Sequence, residues 1–169
     1  MNQIMVERLV IVIKKYGLFF ITFIPVIIGY IVNIFIMLPF VGTLLFYVLP
    51  ILTTILWYRI GGQYAEANWK LIPATLISNS CGFVSLVIYL WQFLIQTDET
   101  RSMFLAGWSQ MFSASVPLYL LGGIARLFET QPNYVGRASM AALQVLALVY
   151  MMIVFVVGFL HKKNKLSCI

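Results

Sequence analysis

Two short clusters hold most of the polar chemistry inside the apolar part of this 169-residue chain: SNSCG, Ser78 to Gly82, and SQMFSAS, Ser109 to Ser115. The carboxamides of Asn79 and Gln110 both donate and accept hydrogen bonds, and the hydroxyls of Ser78, Ser113 and Ser115 do the same on a smaller scale. Asn33, from an earlier apolar stretch, adds a third carboxamide. Facing one another, the clusters would line a substrate-binding site for a small neutral or zwitterionic solute near a membrane mid-plane, where interrupted helices build such sites. The competing expectation is structural. Polar side chains at membrane depth, including Thr53, Thr54, Ser85 and Gln144, join helices by hydrogen bonds worth about 0.6 to 2 kcal/mol each.

Other chemistry finds little support. Intramembrane catalysis needs a nucleophile with a base, paired acids, or metal ligands. Glu7, Glu66, Asp98, Glu99 and Glu129 all fall at or beyond the ends of apolar segments, and no histidine or lysine lies at depth to activate a serine. Cys81 and Cys168 are too far apart for a CxxC motif, and the single histidine, His161, sits in a lysine-rich tail. The sequence therefore predicts a protein that is not an enzyme and uses no cofactor and no metal.

The elements that would position the clusters follow from composition. The chain is 62% hydrophobic and 9% charged, with a mean hydropathy of +0.98, whereas soluble domains carry about 25% charged residues. Five apolar segments recur, approximately Gly17 to Leu38, Val41 to Trp57, Leu71 to Gln96, Met103 to Phe128 and Ala138 to Leu160. Spanning hydrocarbon takes about 20 helical residues. A closed β-barrel needs alternation, but Val145 to Leu160 is apolar on every face. The expected fold class is all-α, a polytopic integral membrane bundle of five hydrophobic helices. Three parts follow: 1–16, where Ile4, Met5, Leu9, Val12 and Ile13 mark an amphipathic interfacial helix; a single transmembrane domain, 17–160; and a basic tail, 161–169. Gly61-Gly62 is expected to break the second helix.

The fourth segment is expected to be kinked or re-entrant at Pro117. Proline lacks an N–H and disfavours the helical region for Val116, while Ser113 and Ser115 can satisfy the freed backbone groups. Charge barely separates the alternatives. With the N-terminus cytoplasmic, a spanning fourth segment leaves Arg8, Lys14, Lys15, Arg59, Lys70, Arg126 and Arg137 inside, and Arg101, Lys162, Lys163 and Lys165 outside. A re-entrant segment exchanges Arg126 and Arg137 for the three tail lysines, which fits the positive-inside rule slightly better.

Partners are expected to be the lipid bilayer and a second copy or a membrane-complex companion. The net charge of +6, concentrated at segment ends, reads as contact with lipid rather than nucleic acid. Short loops point to a bacterial inner membrane. Two functions stay open: a membrane subunit or carrier for a small solute, and an interaction protein, such as an immunity or regulatory factor, acting through contacts in the bilayer and the 58–70 link.

Overall fold

The computed structural model describes residues 17–128 and 136–167, and every regular element among them is helical. The interfacial helix expected over 1–16 lies outside the described residues. Helix α1 (Ile24–Phe35) carries Pro25 in its first turn, where a missing N–H breaks no helical bond. It continues a helical turn at 17–21 across a step at which the Thr22 hydroxyl donates to the Phe19 carbonyl, 2.7 Å away.

Helix α2 (Val41–Glu66) runs unbroken for 26 residues. The expected break at Gly61-Gly62 does not occur, because Gly61 has a packing role. A Cβ there would run into the carbonyl of Phe155 on the long final helix, α8 (Arg137–Ser167), and one on Gly158 would meet the carbonyl of Tyr58. Each helix thus offers a bare backbone to the other.

Three pairs give the register. The Thr54 and Tyr150 hydroxyls are 3.2 Å apart, the rings of Tyr58 and His161 are 6.1 Å apart, and Glu66 pairs with Lys162 at 2.7 Å. Higher numbers on α2 meet higher numbers on α8, so the two helices run parallel. Around their seam sit Trp57, Ile60, Tyr64, Met151, Phe155 and Phe159, all buried. The Tyr64 hydroxyl donates to the Leu18 carbonyl at 3.1 Å, which fastens the start of the first apolar stretch to the same core.

Between α2 and α8 the chain is interrupted twice. Helices α3 (Leu71–Ser78) and α4 (Ser80–Leu90) part at Asn79, and α4 ends in a wide turn, Trp91–Ile95. The cause is local: the Thr75 carbonyl accepts from the Ser78 hydroxyl at 3.1 Å and the Asn79 amide side chain at 2.9 Å, besides the Asn79 backbone N–H at 3.2 Å. Side chains competing for a helical carbonyl bend the helix.

The second interruption is the segment 103–128. It comprises α5 (Met103–Trp108), α6 (Met111–Ala114) and α7 (Leu118–Ala125), pieces of six, four and eight residues. Ser109, Ser113 and Ser115 each donate to the carbonyl three residues earlier, at 2.7 to 2.9 Å. Pro117, whose ring nitrogen cannot donate, opens α7.

Residues that flank this segment pair with one another. Asp98 pairs with Arg101 at 2.8 Å and with Arg137 at 3.6 Å. Arg101 also donates from Nε to the Gln92 carbonyl at 2.9 Å and lies over the Phe93 ring. Asp98 and Arg137 lie together at one end of α8, and Glu66 and Lys162 lie toward the other.

Among the described residues three helical stretches are long and apolar enough to cross a membrane: Gly17–Phe35, Val41–Glu66 and Arg137–Ser167. Helices α3 and α4 with the turn that follows make a fourth if they form one span, bent by 53°.

Candidate functional site

Two glycines set the broken segment in place. A Cβ on Gly29 of α1 would strike the carbonyl of Met111, so α1 lies directly on the backbone of α6. On the other side, a Cβ on Gly82 of α4 would come within 2.6 Å of Phe112 and 2.7 Å of Leu148. Helix α6 is thereby held between α1, α4 and α8. Its buried Phe112 fills the space that Gly82 leaves open.

On the α1 side of this junction lies a cavity of about 190 Å³, lined by Asn33, Gly107, Gln110, Met111, Ser113, Ala114, Leu118, Met140 and Gln144. Gln144 is 7% exposed, and its carboxamide has no hydrogen-bond partner among the described residues. Gln110 donates from Nε2 to the Ala106 carbonyl at 3.3 Å, which leaves its oxygen to accept. The Ser113 hydroxyl donates to the Gln110 carbonyl at 2.9 Å and keeps its lone pairs. Asn33 stands exposed at the lip.

The lining carries no charged side chain. Among the described residues no three of His, Cys, Asp and Glu gather in a group. What the arrangement offers is hydrogen bonding from neutral amides against an apolar wall.

Of the residues singled out in the sequence, Asn33, Gln110 and Ser113 line the cavity, and Ser78, Asn79 and Ser115 do not. Asn79 is fully buried, and its side chain is occupied. Its oxygen accepts from the Trp57 indole N–H at 3.3 Å, and its nitrogen donates to the Thr75 carbonyl and to the Ser78 hydroxyl at 3.0 Å. Ser115 donates to the Phe112 carbonyl at 2.7 Å. The two polar clusters therefore meet through the apolar contact of Gly82 with Phe112, not across a shared polar space.

In the sequence Gln144 is legible only as a lone polar residue in an apolar helix, which reads as a helix-to-helix bond. Gln144 lies two turns into α8 from Arg137, and Asn33 is two residues from the end of α1.

No known protein family, no protein of described function and no solved structure matches this chain.

Proposed function

We propose that this is a non-enzymatic integral membrane protein that holds a small neutral or zwitterionic solute in the cavity between α1, the broken segment and α8. It would act as a carrier, alone or as a homo-oligomer, or as the solute-binding subunit of a larger membrane assembly. The observation that carries the reading is the Gln144 carboxamide, buried at the cavity wall without a protein partner among the described residues. Its carboxamide atoms open onto the cavity, where the donor and acceptor groups of a polar ligand can pair with them.

In this reading 103–128 is re-entrant, which the contacts of Asp98 with Arg101 and Arg137 support. Arg8, Lys14, Lys15, Arg59, Lys70, Lys162, Lys163 and Lys165 then share the cytoplasmic side, and Arg101, Arg126 and Arg137 the other. A bacterial inner membrane suits this charge asymmetry and the short links.

The test is thermal unfolding of the purified chain in mild detergent against a panel of amino acids, small amides, polyols and vitamins. A ligand at about 100 times its Kd stabilises by about 2.7 kcal/mol, and the gain should vanish in Gln144→Leu. Equal responses of both proteins to every solute would sink the reading.

A second reading, as an interaction protein, draws on the Glu66–Lys162 pair. It joins the C-terminal end of α2 to the last turns of α8 in one surface at one end of the bundle. Lys163→Glu with Lys165→Glu should then release a companion that co-purifies with the wild type. A companion retained by the variant, or none in the wild type, counts against it.

A further inference from the structure

The cavity is open on one side, and the character of that opening narrows the ligand. Its lip is Asn33 on α1, one turn from Tyr30, which is 55% exposed, and Met37, just past the end of α1, is 88% exposed. Ile34 and Phe35 beside Asn33 are exposed as well. In a chain that spans a membrane, this is a surface that meets lipid rather than water. Asn33 and Gln144 both lie within about two helical turns of the bundle end, roughly 10 Å at about 1.5 Å per residue.

Resting on the solute-binding reading above and narrowing it, we infer that the ligand is an uncharged amphiphile, a single apolar chain bearing a hydroxyl-rich or amide head, and that it reaches the cavity sideways from the bilayer. The head matches Asn33, Gln110 and Gln144, which supply donors and acceptors without charge. The first carbons of the chain match Met111, Leu118 and Met140, and methionine adapts its shape to irregular apolar partners. A phosphate would find no cation in the lining, and an unpaired charge there is strongly disfavoured. The cavity therefore selects against the phospholipids that surround it.

The probe is 1-monodecanoylglycerol, added to the full chain in phosphatidylcholine nanodiscs, with free glycerol as its water-soluble counterpart. Binding is read as the rise in unfolding midpoint and as adduct mass in native mass spectrometry. The expected result is saturable stabilisation by monodecanoylglycerol, none by glycerol at the same concentrations, and at least a tenfold rise in half-saturation for Gln144→Leu and for Asn33→Leu. Asn33→Leu lies on the exposed lip and keeps the test informative if Gln144→Leu fails to fold.

Glycerol, or a soluble compound from the panel above, binding as tightly with the same dependence on Gln144 would overturn access from the lipid and leave the solute-binding reading standing. Monodecanoylglycerol acting equally on the wild type and both variants would overturn the inference as a general detergent effect. No Gln144-dependent response to the amphiphile or to any member of the panel would remove both.

Discussion

At the scale of single residues, two buried carboxamides behave in opposite ways. Asn79 is satisfied on both its oxygen and its nitrogen, and among the described residues it answers the indole N–H of the buried Trp57. Asn79→Leu leaves that donor stranded and should destabilise the protein by about 1 to 3 kcal/mol. A double-mutant cycle with Trp57→Phe, read from unfolding in an SDS titration, should give a coupling of about 0.6 to 1.7 kcal/mol. Gln144 has no partner among the described residues, so Gln144→Leu should leave the same midpoint unchanged or raise it. A loss as large as that of Asn79→Leu would mean that Gln144 holds the fold rather than a ligand. Stability set aside at one position is what a binding site requires.

At the scale of elements, glycines separate into those that bring backbones together and those that do not. Gly61 and Gly158 let α2 and α8 touch backbone to backbone. Gly158→Leu should cost about 1 to 3 kcal/mol or more by overpacking, measured as a lower unfolding midpoint and a loss of monodisperse protein. Gly122 and Gly123 on α7 have nothing within 4 Å of an added Cβ. Gly123→Ala should therefore stabilise α7 by about 0.5 to 1 kcal/mol. A destabilised Gly123→Ala would show that this helix face is covered in the membrane. The Asp98–Arg137 pair, with both side chains largely exposed, is a marker of position more than a source of stability. Arg137→Ala should cost less than about 1 kcal/mol.

At the scale of the whole molecule, the arrangement predicts which segments share a side. In a background of Cys81→Ser and Cys168→Ser, single cysteines at Glu99 and Gly136 should react with a membrane-impermeant maleimide from outside intact cells. Lys163→Cys should react only after the membrane is broken. Labelling of Lys163→Cys in intact cells, with Glu99→Cys also labelled, would instead make the fourth segment a crossing.

Much of this molecule is legible in its sequence. A composition of 62% apolar and 9% charged residues admits only a chain whose backbone satisfies itself in lipid, and apolarity on every face makes it helical. Around Pro117 the sequence shows a proline without an N–H and serines placed to bond their own backbone, which is local chemistry. Local chemistry misleads at Gly61-Gly62, where the missing Cβ serves a neighbouring helix and does not end its own. It also joins Asn79 to Gln110, because type and depth are visible in a sequence and facing is not.

The side on which the fourth segment emerges is beyond the charge pattern, for Arg126 and Arg137 against three tail lysines shift the balance by a single residue. Only the tertiary structure brings Asp98 to Arg137 and Glu66 to Lys162, at opposite ends of parallel helices. Hydropathy is a property of a window of chain, whereas direction and proximity depend on which distant backbones can approach. Here that rests on Gly29 against Met111, Gly61 against Phe155 and Gly158 against Tyr58, contacts between residues far apart in sequence.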